Sequence, residues 1–370
     1  MQKLYDDVIV GSGVSGLFIA RMLLEKGRRV LLLEKNSIAS GQSVVSQGIL
    51  HSGLKYLFYK KTSVDVDSMS SSMALWDNYF SGLSIDLSNV KKRSSHCLVW
   101  NNSNFLIAPM LETCASGLFK SQCEKISKSS PILDHINFSG SPFLVKEIIL
   151  DPRSLIEELV RPIMSNVIVF DDDLNFLKTN DNNISAVQFS LEGVRQSVSA
   201  NNFIFCAGAG NEHYLEEITM QSYRMQNRPL LMSYAKGKLP IINGHFISEK
   251  GVLVTITSSV ESDYSVVWQI GGMIAEECAG DKNLIINTLK KITRNIDFSS
   301  VDIGFYSAVR AEGFFGDGKI KPSYEIYRFG NSIFCWPMKL VLAPAMANYI
   351  ASIIDAKIES SAHIEKYPWN

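Results

Sequence analysis

Val8-Ile9-Val10-Gly11-Ser12-Gly13-Val14-Ser15-Gly16 decides the fold of this chain. An apolar strand runs into a glycine-spaced loop and on into a helix, and Val30-Leu31-Leu32-Leu33-Glu34 follows as a second strand closed by an acid. That is the sequence form of a dinucleotide-binding βαβ unit. Gly11 permits the tight turn, Gly13 lets the backbone approach a pyrophosphate, and Gly16 lets the helix pack closely on the strand. The helix start at Val14 and Ser15 then meets the phosphates with unpaired N–H groups and a positive dipole end. Glu34, at the tip of the second strand, can accept hydrogen bonds from a ribose diol. A glycine pattern alone would be weak, but strand, glycines, helix, second strand and terminal acid in this order are specific.

The rest of the composition bounds the function. A chain of 370 residues is too long for one simple core and suits two intertwined domains. With Lys+Arg 36 against Asp+Glu 37 the net charge is −1, so the bulk electrostatics invite neither nucleic acid nor an anionic membrane, a local basic patch aside. The hydrophobic fraction of 46% is ordinary, and no apolar run has the length of a membrane span. Val8 to Leu24, following Lys3, resembles a targeting segment at first sight, but its Gly-Ser-Gly break, Arg21 and its continuation into a second strand argue for the nucleotide unit. Six cysteines (Cys97, Cys114, Cys123, Cys206, Cys278, Cys335) show no C-x-x-C spacing, so no zinc site, no other metal and no dithiol redox pair is expected. Free thiols in a reducing cytoplasm are the plainest reading, and a cytoplasmic location is expected.

After the opening unit, Ser46-Gln47-Gly48-Ile49-Leu50-His51-Ser52-Gly53-Leu54-Lys55-Tyr56 lacks helix or strand periodicity and reads as a shaped loop near the ligand. Ser63 to Phe80 fits an amphipathic helix, and residues 86–144, rich in Ser and Asn, read as an insertion. Glu147-Ile148-Ile149-Leu150 is a strand leading into a helix that Asp151 caps and Pro152 starts. A short strand, Asn166 to Phe170, precedes the alternating segments Ile184–Phe189 and Gln196–Val198, a small antiparallel meander that ends in the buried strand Phe203-Ile204-Phe205-Cys206-Ala207-Gly208-Ala209-Gly210. From Arg228 to Ile270 several strands follow one another without helices, which suggests a sheet of their own. A helix near Asn283–Ile292, strands near Ile303–Arg310 and Asn331–Trp336, and a helix from Ala343 to Ile354 complete the pattern.

With these segments placed, nearly the whole chain resembles the D-amino-acid-oxidase superfamily of FAD-dependent oxidoreductases. The resemblance rests on Gly11-x-Gly13-x-x-Gly16 with Glu34, on Phe205-Cys206-Ala207-Gly208-Ala209-Gly210, on a strand ending at Arg310, and on Trp336-Pro337-Met338-Lys339-Leu340-Val341-Leu342-Ala343-Pro344. The loop around His51 looks most like the 2-hydroxyglutarate and glycerol-3-phosphate dehydrogenase branch, while the later half is about as close to glycine and sarcosine oxidases. The implied fold class is α/β: a Rossmann-like FAD-binding domain from 1–85, 145–220 and 304–370, and a second, α+β substrate domain from 86–144 and 221–303 built on a mainly antiparallel sheet. Implied too is removal of a hydride from a carbon bearing an OH or NH group, with FAD as acceptor and the protein holding the substrate over it.

By the same resemblance the cofactor-facing residues are Gly11, Gly13, Val14, Ser15, Gly16, Glu34, Lys35, Ser46, Gln47, Gly48, Val169, Ala207, Gly208, Met338 and Leu340. Arg310 matches the position that holds a substrate carboxylate, a role suited to a planar guanidinium, though an interdomain ion pair would also explain it. Lys339 matches a lysine facing the substrate acid, and its cation could offset charge on the reduced flavin, as could backbone N–H groups near Leu340 and Val341. His51 is the candidate proton acceptor beside the flavin, and His245 a weaker second. Tyr56, Tyr264 and Trp268 could wall a pocket, although aromatics in strands are usually core.

Departures from the pattern narrow the substrate. Arg310 is followed by Ala311-Glu312 rather than by proline, and the last helix is preceded by Trp336-Pro337-Met338 rather than by a histidine-rich glycine loop, so simple glycine or sarcosine is not expected. No cysteine lies between Gly304 and Phe334 to tether the flavin, and FAD is expected to be non-covalent. The leading reading is oxidation of a small carboxylate-bearing 2-hydroxy acid or amino acid, with the electron acceptor open. A partner-binding, non-catalytic flavoprotein and a flavoenzyme for a larger substrate stay as alternatives. The late candidate Gly316-Asp317 lies in a glycine-rich turn followed by no helix, which disfavours a flavin monooxygenase, and the absent cysteine pair disfavours a disulfide reductase. A tRNA-modifying flavoenzyme would be expected to carry a basic groove, and the near-neutral charge offers none.

Overall fold

The opening apolar run forms β1 (Lys3–Val10), which lies parallel between β2 (Val30–Glu34) and β12 (Val194–Phe205), with Val8 level with Leu31 on one side and Phe203 on the other. The computed structural model describes residues 3–53, 66–102, 123–127, 129–221, 225–313 and 323–355. Beyond β2 lies β9 (Val167–Val169), parallel to it, and β19 (Ser332–Trp336) runs parallel to the end of β12 with β18 (Glu325–Phe329) antiparallel outside it. The start of β12 pairs instead with β11 (Ile184–Leu191), and β11 with β10 (Asn175–Lys178). The expected meander is therefore present, and Gln196–Val198 and Phe203–Phe205 are two ends of one strand of 12 residues.

Strand alternation buries both faces of this sheet. Ile9, Leu32, Ile204 and Ile333 join the core under α1 (Val14–Glu25) and the helix Ala343–Asp355, while Val10, Leu33, Phe205 and Phe334 join the core of the other face with Phe176 and Tyr214. Parallel strands need this double cover. Phe205 stacks on Phe334 at 4.5 Å between ring centroids, and truncating either to alanine would cost about 3–5 kcal/mol.

A second sheet has the order β17 (Asp302–Glu312), β13 (Gln226–Gly237), β16 (Val266–Gly271), β15 (Gly251–Val260), β14 (Gly244–Ser248), β5 (Cys97–Trp100), β7 (Phe143–Val145), β6 (Cys123–Lys125). It is antiparallel except where β14 meets β5. One face, with Ala235, Ile256, Trp268 and Ile270, packs on Ile285, Leu289 and Ile292 of the helix Lys282–Ile292. The register puts His245, Thr255, Thr257, Gln269, Tyr306 and Arg310 on the other face. The boundary expected at residue 304 falls inside β17, which pairs with β13 from Gln226–Glu312 to Lys236–Asp302. Residues 304–312 thus belong to the second sheet, because a long cross-strand ladder, and not a strand's own sequence, selects its partner.

A third, small sheet joins β3 (Ile49–Leu50), β8 (Ile148–Leu150) and β4 (Lys92–Ser94). It sets His51 and Glu147 at its two adjacent ends. Asp151 accepts from Ser154 N at 2.9 Å, so it caps the helix Pro152–Val160 with Pro152 in the first turn. The helix expected over 63–80 is described as Val66–Phe80, and Leu54, Lys55, Tyr56, residues 63–65 and Gly316-Asp317 lie outside the described residues. Among the described residues no helix is long and apolar enough to cross a membrane.

Candidate active site

The C-terminal ends of β1, β2, β12 and β19 converge on a cleft of about 500 Å³, the place where open parallel sheets take ligands. Gly11, Gly13, Val14 and Ser15 of the first turn line it, with Glu34 and Lys35 from the end of β2, Ala207 and Gly208 from the end of β12, and Ser46, Met338, Lys339 and Leu340. Gly13, at the N-cap, offers no side chain and the first turn holds no acid, so among the described residues the one side-chain partner at this helix start is the Ser43 hydroxyl, whose Oγ accepts from Val14 N–H at 3.0 Å. Glu34 is held at the strand tip by Ser12, whose N–H and Oγ–H donate to Oε2 at 2.8 and 2.6 Å, and by Asn36 N–H on Oε1 at 3.1 Å. Lys35 stands at the rim, paired with Asp173.

The three glycines have separable tasks. A Cβ on Gly16 would lie 2.0 Å from the Gly11 carbonyl oxygen, and one on Gly11, at φ +101°, 2.7 Å from that of Cys206. Both positions are dictated by backbone packing. A Cβ on Gly13 would meet only Ser43 Oγ, at 3.1 Å, and would otherwise stand over the cleft. Trp336 also lines the cleft, and its buried indole N–H has no hydrogen-bond partner among the described residues. Met338 takes a left-handed φ of 59° to turn the chain into Leu340–Leu342 and the following helix. A helix start without an acid in its first turn, a fixed carboxylate, glycines lining the cleft and a donor left without a partner among the described residues fit a dinucleotide.

Four expected cofactor residues stand outside this lining. Gly16 serves helix packing, and Gly48, at φ +70°, closes on the Leu150 carbonyl, 2.2 Å from where its Cβ would sit. Gln47 reaches the second sheet instead: its Nε2 donates to the carbonyls of Thr255 and Gln269 at 3.2 and 3.0 Å. Val169 is 45% exposed, and the next residue, Phe170, lines the cleft in its place, because a shift of one residue along a strand exchanges its faces.

Arg310 does not line the cleft; its neighbours Ser307, Ala308, Val309 and Ala311 do. It lies opposite Arg228 in the β13–β17 ladder. Arg228 takes the buried carboxylate of Glu312 at 2.6 Å, and half-buried Arg310 has no ion-pair partner among the described residues. Lys339 is half-buried at the cleft edge.

His51 and His245 are brought together around an acid that sequence reasoning took only as the start of a strand. Glu147 Oε2 lies 3.0 Å from His245 Nε2 and 3.3 Å from His51 Nδ1, and Oε1 accepts from Ser52 N–H and Oγ–H at 3.0 and 3.1 Å. His245 Nδ1 lies 2.9 Å from Thr255 Oγ1. Burial raises the pKa of Glu147, but the charges and hydrogen bonds of the imidazoles, His51 foremost, outweigh that and hold it well below the usual carboxylate range. The ligand atoms of the three lie within 4.8 Å of one another, a spacing a metal ion would also accept. The sequence signal for Glu147 is no more than a Lys146-Glu147 pair interrupting the apolar stretch 143–150, with partners 96 and 98 residues away.

The sheet also pairs two thiols that no sequence spacing announced. Cys206 and Cys335 follow neighbouring positions of parallel β12 and β19, and their sulfurs are 3.3 Å apart beneath the cleft. Burial, then the neighbouring thiol, raises the pKa of Cys335 well above the ordinary thiol value, which keeps it protonated and unreactive.

Residues 6–241 match the DAO family, described as FAD dependent oxidoreductase. The probable FAD-dependent oxidoreductase PA4991 of Pseudomonas aeruginosa is 26% identical over 361 residues, 95% of this chain and 90% of that protein. Its crystal structure superposes with a TM-score of 0.77 at 24% identity, over 96% of this chain and 91% of that one. L-alpha-glycerophosphate oxidase from Mycoplasma pneumoniae with FAD bound (17% identity, TM-score 0.66, 96% of each chain) and glycine oxidase from Geobacillus kaustophilus (14%, 0.65, 95% of each) share the fold.

Proposed function

The chain belongs to the DAO family of FAD-dependent oxidoreductases, and from that premise we propose that it oxidises a small carboxylate-bearing 2-hydroxy acid or amino acid at the carbon carrying the OH or NH group. Bound FAD supplies the two-electron acceptor. The first turn at Gly13, Val14 and Ser15 receives its pyrophosphate, Glu34 its ribose, and Ser46, Ala207, Gly208, Met338 and Leu340 flank it. Arg310 binds the substrate carboxylate through both guanidinium edges, Lys339 offsets negative charge beside the cofactor, and His51 takes the proton of the substrate OH or NH.

The observation that carries this reading is the half-buried guanidinium of Arg310 on the polar face of the second sheet, with no anion paired to it among the described residues. A half-buried guanidinium keeps part of its hydration and still presents paired N–H donors, which suits it to take up a ligand carboxylate. The names of similar proteins support it: glycine oxidase, L-amino acid deaminase and L-proline dehydrogenase act on small acids. Arg310→Ala tests it. The variant should keep its flavin and lose about 10- to 100-fold in kcat/KM, mostly through KM, as expected when charged hydrogen bonds of about 1.5–3 kcal/mol are removed. A variant with unchanged KM would refute the carboxylate assignment, and a wild type that no small acid reduces would favour the scaffold alternative.

A further inference from the structure

We propose that Glu147 is a positioning residue: it fixes which nitrogen of His51 carries the resident proton and, clasped by His245 and Ser52, holds the countercharge for a proton that arrives on the other nitrogen. This rests on the assignment of His51 as proton acceptor above and extends it to groups that contact neither substrate nor cofactor.

The hydrogen-bond inventory leads to it. A carboxylate only accepts, and Glu147 is met at Oε1 by two donors from Ser52 and at Oε2 by two imidazole nitrogens. His245 therefore carries its proton on Nε2, and its Nδ1 accepts from the Thr255 hydroxyl at 2.9 Å. His51 carries its proton on Nδ1, which leaves Nε2 as the basic nitrogen, since the bond made by one ring nitrogen sets the state of the other. Of the three side chains only that of His51 reaches solvent, at 15% exposure against 1% for each of the others. Among the described residues the groups that meet Glu147 are His51 and Ser52 from the loop after β3, His245 from β14, and Cys97 of β5, whose Sγ lies 3.9 Å from the Glu147 carbonyl oxygen.

The chemistry balances. The substrate O–H or N–H bond breaks and its proton bonds to His51 Nε2. The electron pair left behind closes the C=O or C=N bond as the hydride departs from carbon to the bound cofactor. His51 becomes an imidazolium whose charge Glu147 already faces across 3.3 Å in a buried, weakly screened setting. A neutral residue at 147 would leave that charge uncompensated. The second imidazole is what makes the arrangement rigid, because it ties the same oxygen to the second sheet.

Two measurements on the FAD-loaded protein test this. Nitrogen NMR of histidine-ring-labelled wild type should find His51 protonated at Nδ1 and bare at Nε2. Anaerobic flavin reduction should be about 10²- to 10⁴-fold slower in Glu147→Gln, with KM little changed, the acidic limb of the pH profile moved to lower pH, and part of the rate regained in Glu147→Asp. The substrate is whichever of glycine, L-proline, sn-glycerol 3-phosphate and L-2-hydroxyglutarate reduces the wild type. If none does, the assignment of His51 as proton acceptor fails while the NMR result still decides the tautomer. A proton on Nε2 of His51, an E147Q variant of wild-type rate and pH profile, or one equivalent of zinc that E147Q loses would each overturn the proposal. Should E147Q not fold, the wild-type tautomer remains decisive.

Discussion

Gly13→Ala and Gly16→Ala, three residues apart in one turn, should fail in opposite ways. A Cβ on Gly16 lands 2.0 Å from a backbone oxygen, so α1 must retreat by about 1.4 Å to reach the ordinary contact distance of 3.4 Å. The helix is buried from Val14 to Leu23 and packs against the helix Ala343–Asp355, so it cannot retreat freely. Overpacking of this kind costs about 1–3 kcal/mol, and a rigid backbone neighbour puts the cost at the upper end. The apo-protein should melt several degrees lower. At Gly13 the backbone is at φ −67° and ψ 177°, which alanine adopts without strain, and the new methyl meets only Ser43 Oγ at 3.1 Å, which accepts from Val14 N–H at 3.0 Å and need shift by only a few tenths of an ångström. Loss of some N-cap preference and gain in chain stiffness roughly cancel, so apo stability should change by less than about 1 kcal/mol. That methyl stands where the pyrophosphate must approach, and the same 1–3 kcal/mol now falls on binding, a roughly 5- to 150-fold weaker FAD affinity. Thermal melts of apo-protein and quenching of flavin fluorescence read the two quantities separately. The reasoning is refuted if Gly13→Ala binds FAD as tightly as wild type, or if it destabilises the apo-protein as much as Gly16→Ala does.

Asp151→Ala removes both the cap on Pro152–Val160 and the carboxylate that Arg93 holds at 2.8 Å, and should cost about 1–2 kcal/mol in chemical denaturation. Burial works against the charged form of Asp151, but the Ser154 N–H and Arg93 more than compensate and its pKa is lowered; its stabilisation is thus present above the unfolded carboxylate range and lost as pH falls through the folded value, so the variant should show a flatter acid limb. Burial pushes Tyr79 and Tyr214 up to about 12. With unfolded values near ~10, their contribution holds below that pH and disappears as pH rises toward the folded value, and phenolate absorbance should show two tyrosines ionising late, together with alkaline unfolding.

What was legible in the sequence is what local rules encode. The glycine turn, Glu34, the Asp151-Pro152 helix start and the β11–β12 pair of the meander each follow from residues within one or two elements, while β10 was not read from the sequence. What escaped depends on partners far apart. Glu147 has no motif around it, and its meaning comes from His51 and His245 across two sheets. Gln47 sits in a loop that the sequence could assign to the ligand only by proximity, and its amide turned out to bond the second sheet. Val169 and Phe170 differ by one position, and hydrophobicity alone does not say which face of a three-residue edge strand turns inward. Arg310 was found by resemblance, but that it has no ion-pair partner among the described residues became evident only once β17 lay beside β13 and Glu312 was taken by Arg228.

The central claim is oxidation of a small acid by the bound flavin, and the most direct measurement is anaerobic loss of visible flavin absorbance on mixing holoenzyme with 2-hydroxy acids, amino acids, N-methyl amino acids and their uncharged amides. The account predicts that one carboxylate-bearing class bleaches the flavin and that its amide does not. A flavin that stays yellow with every acid, or that an uncharged amide bleaches equally well, would contradict it.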